Sequence, residues 1–304
     1  MHNHITDMVI RSNINVSDKW LLDGLSPIVK IMAQEKAVPE GETVTIDISN
    51  TSFITPVFAL SMIVYLSGCK KDISFGNVPD YADLIGLKYG GLQPDTMRQT
   101  EFLATMEKYA TKTYIPIVNF SAIKNSDAKE FVSSLVENLI IRQLGIQSNV
   151  ANGLKYLIDE TLDNITEHSE SDRGYIFAQA YPQKGFLDVC IADTGVTLLG
   201  SYQKLQGNEI TTDSEAIRAA NRGHSSKNVG ESESRGFGIM TSKRMLVDGL
   251  GGQYLMISGG SLFFKQPGFD SFYRMPDGLR WPGTIVAMRI PYYSKEFDYI
   301  KYVE

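Results

Sequence analysis

Apolar and polar residues alternate at 44–48, with Val44, Ile46 and Ile48 set against Thr45 and Asp47. This is the two-residue period of a half-buried strand. A polar turn at 49–55 follows, and then Pro56, whose missing N–H costs nothing in a first helical turn. The nearly all-apolar segment 57–66 is therefore expected as a buried helix. Residues 72–75 predict a second short strand, and Pro79-Asp80 a helix start. Gly90-Gly91 and Pro94 break the chain before helical periodicity returns at 95–109, with Phe102, Leu103, Met106 and Tyr109 in phase. A strand at 114–120 is expected to close this part.

From about 126 the pattern changes to longer helices. Phe131, Leu135, Leu139 and Ile140 give one apolar stripe, and 149–168 gives a second, with Leu154, Leu157, Ile158, Thr161, Leu162 and Ile165 inward. Strands at 174–181 and 186–192 are joined by Pro182-Gln183-Lys184-Gly185, a hairpin turn. The stretch 197–236 is polar and glycine-bearing, and reads as loop apart from a short helix at 213–220. A loop this long usually serves as a lid or binding loop. A helix at 239–247, strands near 253–257 and 262–264, and a final strand at 284–290 complete the chain.

With 304 residues, the length suits two domains at about 150 residues each. The pattern divides them into a small α/β domain over 1–125 and a second α/β domain over 126–304, with no Pro/Gly/Ser-rich linker between. Charge and cysteine content narrow the partners. A formal net charge of −6 gives no global attraction to nucleic acid or an anionic membrane. The longest apolar run, 53–66, contains Thr55, Pro56 and Ser61 and falls short of the roughly 18–20 residues that a bilayer requires. Cys69 and Cys190 are too few for a disulfide framework or zinc cluster. The N-terminus has no signal-peptide core, so a cytoplasmic protein is expected.

Three groups of residues offer chemistry. Glu160, Asn164 and His168 recur at intervals of four and share one helix face. Asn164 offers a carboxamide oxygen to a hard cation such as Mg²⁺, and Glu160 is placed to orient or deprotonate water; a solvated polar face is the alternative. His168 also suits a helix end beside the C-terminal dipole. Asp193 ends the apolar run Val189-Cys190-Ile191-Ala192, where a buried carboxylate is costly without donors. A purine amino group would supply one, whereas a turn Asp capping its own backbone would need none; Gly195 permits a left-handed turn or close approach of a flat ligand. Finally, Ser234-Arg235-Gly236-Phe237-Gly238-Ile239 precedes a helix, so its N–H groups can face an anion. Upstream, Arg222-Gly223-His224-Ser225-Ser226-Lys227 reads as a phosphate lid or a solvated basic loop. Neither the dinucleotide GxGxxG after a strand nor a GxxxxGK[ST] loop is present.

In this order, the elements resemble the ATP-binding domain of the GHKL superfamily, shared by histidine kinases, anti-sigma serine kinases, gyrase B, heat-shock chaperone ATPases and MutL. Asp159-Glu160-Thr161-Leu162-Asp163-Asn164-Ile165-Thr166-Glu167-His168 stands for its N box and Asp193-Thr194-Gly195-Val196-Thr197 for its first glycine box. Arg235-Gly236-Phe237-Gly238-Ile239 stands for the second, and Gly283-Thr284 for the terminal strand. The resemblance covers about 126–292 and implies a two-layer α/β sandwich of the Bergerat type, with ATP and Mg²⁺ as cofactors. It implies that Asn164 holds Mg²⁺ and that Glu160 orients water. Asp193 would bind the adenine amino group, Gly195 would pass beneath the ring, and Thr284 would sit behind it. Gly236, Phe237 and Gly238 would form the phosphate turn, and Lys227 would reach the terminal phosphate from a lid over about 197–235. Thr197 stands where the resemblance has the second glycine of the usual DxGxG, and implies a stiffer or differently shaped lid hinge.

The first domain is more faintly similar to the STAS fold of anti-sigma antagonists, through Ile46-Asp47-Ile48-Ser49-Asn50-Thr51-Ser52-Phe53-Ile54-Thr55-Pro56. Pro56 and Val57 occupy the region of that family's phosphorylated serine, so the switch chemistry is not expected, and a generic α/β scaffold is the alternative. The function expected is an ATP- and Mg²⁺-binding regulatory protein with a nucleotide-responsive lid, acting on a protein partner or as a homodimer, with slow ATP hydrolysis open. The alternatives are a serine/threonine kinase of anti-sigma type and a non-enzymatic interaction module with a degenerate or structural nucleotide site. Only His2 and His4 lie in the first part, which disfavours autophosphorylation on histidine.

Overall fold

The computed structural model describes residues 8–11, 20–51, 53–122, 130, 133–138, 148–168, 170–224, 238–292, 298 and 300–303. Three parallel strands, β1 (Met8–Arg11), β2 (Val44–Asp47) and β3 (Ile73–Gly76), form a small sheet in that order. Between them run α1 (Ser26–Ala37), entered through a 3-10 turn at Leu21–Leu25, and α2 (Pro56–Ser67). Helix α2 starts where Pro56 predicts, and the Thr55 hydroxyl accepts from the Phe58 N–H as its N-cap. Every residue from Pro56 to Tyr65 is buried. Short α3 (Asp80–Leu84) and α4 (Gln99–Glu107) lead to β4 (Tyr114–Ser121).

Strand β4 does not close the first part as expected. It pairs antiparallel with β5 (Arg173–Tyr181) and forms one edge of a seven-stranded antiparallel sheet. After β4, residues 133–138 are helical and precede α5 (Ser148–His168). Beyond β5 come β6 (Phe186–Asp193), α6 (Leu198–Gln203), α7 (Asp213–Asn221) and α8 (Gly238–Arg244), which continues as a π-helical turn at Met245–Gly249. The remaining strands are β7 (Gln253–Gly259), β8 (Ser261–Gln266), β9 (Phe269–Arg274) and β10 (Trp281–Pro291), and α9 (Ile300–Val303) ends the chain. Their order across the sheet is β4-β5-β6-β10-β7-β8-β9.

Alternation sends the two faces of this sheet into different cores. Ile176, Val189, Ile191, Met256 and Met288 face a core with Leu154, Leu157, Ile158 and Leu162 of α5. Phe177, Cys190, Ala192, Ile257 and Ala287 face a second core with Phe58, Leu60 and Met62 of α2. Helix α2 is thus buried on both sides, against its own small sheet and against the large one. Trp281, fully buried, donates its indole N–H to the Ser61 carbonyl at 2.9 Å and ties α2 to the start of β10. Among the described residues, no helix is long and apolar enough to cross a membrane.

Helix α6 is a second departure from the expected loop. Thr197, φ −68° and ψ 165°, is its N-cap, and its hydroxyl accepts from the Gly200 N–H at 3.2 Å. Its backbone is ordinary extended chain, so no glycine is required there. Leu198 and Leu199 of α6 pack with Ala216 and Ala219 of α7, so the first part of the expected lid is folded against the body. The hydropathy pattern does not show β1, α1 or β9.

Candidate nucleotide site

The site is built where β6 ends. Asp193 is its last residue and is 2% exposed. Neighbouring β10 pairs with β6 from Ile285 opposite Ala192, and its register against β7 shifts between Trp281 and Thr284. This bulge brings the Thr284 N–H to the Asp193 carboxylate. The Gly195 N–H donates to Asp193 Oδ1 at 2.9 Å. Burial pushes the carboxyl up to about 7, against the opposing pull of these two backbone donors. No cationic side chain is hydrogen-bonded or ion-paired with it among the described residues.

Gly283 is the residue that makes this contact possible. Its φ is +67°, and a Cβ there would lie 2.2 Å from the Asp193 carbonyl oxygen and 2.6 Å from Oδ1. Only glycine accommodates both the angle and the approach. Gly283→Ala is expected to destabilise the fold by about 2–3 kcal/mol, combining strain with a clash. Gly278 has φ +80° and open space around it, so Gly278→Ala is expected to cost only about 1 kcal/mol. Thermal unfolding of the two variants checks the difference.

Ser258 on β7 was not anticipated. Its fully buried hydroxyl accepts from the Leu198 N–H at 2.9 Å, donates to the Gly283 carbonyl at 3.2 Å and lies 3.1 Å from Thr284 Oγ1. One side chain therefore holds the start of α6 against the β10 bulge. The available signal was a serine ending an apolar strand before Gly259-Gly260. The bulge has support from the other side too: a Cβ on Gly68, the C-cap of α2, would lie 2.9 Å from Pro282 Cγ.

Glu160 and Asn164 lie one turn apart on α5, and both are half-buried. Asn164 Nδ2 donates to the Glu160 carbonyl at 2.7 Å, which leaves Oδ1 as the amide's acceptor. Glu160 also hydrogen-bonds the Tyr156 hydroxyl. Helix α5 packs against β6 and α8, the helix that begins at Gly238. Lys227, Gly236 and Phe237 lie outside the described residues, as do the side chains of Ile165 and His168. The segments that flank 225–237 are joined by Lys243 of α8, whose ammonium donates to Asn221 O at 2.9 Å and Oδ1 at 3.1 Å at the end of α7. Burial lowers this lysine to about 8. Among the described residues, no group of three His, Cys, Asp or Glu side chains is placed to hold a metal ion.

The structure thus joins Asp193, Gly195 and Thr284 in one hydrogen-bonded unit and places Glu160 and Asn164 together on the neighbouring helix. No protein-family model matches the chain, and no curated protein matches it.

Proposed function

We propose that this chain binds ATP with Mg²⁺ in a Bergerat-type site and acts as a nucleotide-dependent regulatory protein. The observation that carries the reading is Asp193, a buried carboxylate served by two backbone N–H groups and, among the described residues, no cation. A carboxylate only accepts hydrogen bonds, and the exocyclic amine of adenine is a neutral donor that favours its charged form. The donor set fits the nucleotide in this respect. Asn164 fits the metal, since its amide N–H is committed to the helix and its oxygen is a hard ligand. Mg²⁺ when bound would offset the phosphate charges; Lys227, Gly236, Phe237 and Gly238 enter as phosphate contacts from the sequence alone. The antiparallel sheet with α5 and α8 packed on one face supports the sandwich. The three parallel strands with α1 and α2 support the STAS-like reading of the first part.

Slow hydrolysis is the chemistry proposed, with Glu160 accepting a proton from water. Wild-type protein is expected to bind radiolabelled ATP in equilibrium dialysis with Mg²⁺ and to release phosphate slowly. Glu160→Ala is expected to retain binding and lose phosphate release at least tenfold. Equal release from both proteins would remove Glu160 from the chemistry, and an absence of binding by the wild type would refute the site.

A further inference from the structure

The two edges of the large sheet are finished differently. On β4, Pro116 removes one donor, and the outward backbone is occupied by other segments. The Leu92 N–H donates to Ile117 O at 2.8 Å, the Ile117 N–H to Ile85 O at 2.9 Å, and the Asn119 N–H to Leu92 O at 2.7 Å. Edges protected in this way do not recruit a further strand.

Strand β9 has none of these devices among the described residues. Phe269–Arg274 contains no proline and pairs with β8 in unbroken register, leaving its other side without a described strand. Phe269 is 42% exposed and Tyr273 38%. Its charges are self-complementary. Asp270 and Arg274 stand on the same face, two residues either side of Phe272. In an antiparallel pairing of β9 with itself, a two-fold axis must pass through one residue. Centred on Phe272, it sets Asp270 opposite Arg274 twice and Ser271 opposite Tyr273 twice. The central ring is already fixed from within, under the Arg218 guanidinium at 3.8 Å and tilted against the Phe263 ring, with 4.6 Å between ring centres.

We propose that β9 is a homodimer edge, pairing antiparallel with β9 of a second copy about Phe272 to continue the sheet across the two-fold. The inference is independent of the nucleotide reading. An edge of six residues buries less than a standard interface of roughly 1,600 Å², so the dimer is concentration-dependent.

Sedimentation equilibrium of the full chain between about 1 and 200 µM is expected to show the mass rising from 33.8 kDa towards twice that value. Asp270→Arg and Arg274→Asp each place like charges opposite one another and are expected to weaken dimerisation at least tenfold. Mixed in equal amounts, these two variants have complementary edges and are expected to form a heterodimer. The double variant Asp270→Arg/Arg274→Asp is expected to recover the wild-type dimer. A monomeric wild type at 200 µM would overturn the proposal. So would a dimer that both single reversals leave intact, or single variants that fail to pair when mixed.

Discussion

Asp193→Asn is expected to lose ATP affinity by about 100-fold, the worth of a hydrogen bond to a buried charged group. The variant keeps an oxygen for the Gly195 N–H but turns an amino group towards the position proposed for the adenine amine, so donor meets donor. The loss should be accompanied by a change in stability of opposite sign. In the folded protein the Asp193 carboxyl titrates near 7, well above its ordinary value of 3.8. The native state therefore holds a proton that the unfolded chain releases first, and folding stability falls as pH rises from about 4 through 7. Asparagine has no such penalty. Urea unfolding at pH 8 is expected to find the variant more stable than wild type by up to about 2–4 kcal/mol, with the gain vanishing near pH 4. A residue that were only structural would not combine higher stability with lost binding.

The second large effect concerns the register that assembles the site. Asp188 and Arg289 face each other across β6 and β10, with Nε–Oδ1 at 2.7 Å and an Nη2–Oδ2 contact of 2.8 Å. Their side chains are 1% and 7% exposed, and the guanidinium lies 3.9 Å from the Phe186 ring centre. The same two strands carry Asp193 and Thr284 further along, so this pair helps to fix their relative position. Arg289→Met is expected to destabilise the fold by about 3–5 kcal/mol, because it leaves the carboxylate buried without its counter-charge. Burial already raises the Asp188 carboxyl, and without Arg289 it rises further, so the deficit should shrink as pH is lowered and the group takes up a proton. The double replacement Asp188→Leu/Arg289→Met should recover most of the loss in urea unfolding.

Much of this structure is legible in local pattern. The alternation at 44–48, Pro56 at the head of an apolar run and the hairpin at 182–185 each encode their element within a few residues. Asp193 is legible for the same reason, as a carboxylate terminating a buried run. What is hidden depends on partners distant in sequence. Nothing in 114–121 says that it pairs with β5 rather than with β2 or β3, because hydropathy gives a strand its faces but not its neighbours. Helix α6 is six residues long with a glycine inside, too short for a period to show. Its cap, Thr197, is recognisable only once the helix is present and the Gly200 N–H reaches the threonine hydroxyl. Gly283 and Ser258 acquire their roles only through the β10 bulge, a change of register that no single strand reveals. The first part of the chain also has a place in the account that its sequence does not disclose. Through Ser61–Trp281 and Gly68–Pro282, α2 buttresses the bulge from behind.

Asp193 is proposed to recognise a neutral amine donor within a bound adenine nucleotide. Calorimetric titration with ATP and Mg²⁺, wild type beside Asp193→Asn, at pH 8 and pH 6, tests it most directly. Wild-type protein should bind at pH 8 and weaken by about five- to tenfold at pH 6, as the carboxylate takes up its proton. The asparagine variant should bind weakly and equally at both. Equal affinity of the two proteins for ATP, or no wild-type binding at either pH up to millimolar nucleotide, would contradict the account.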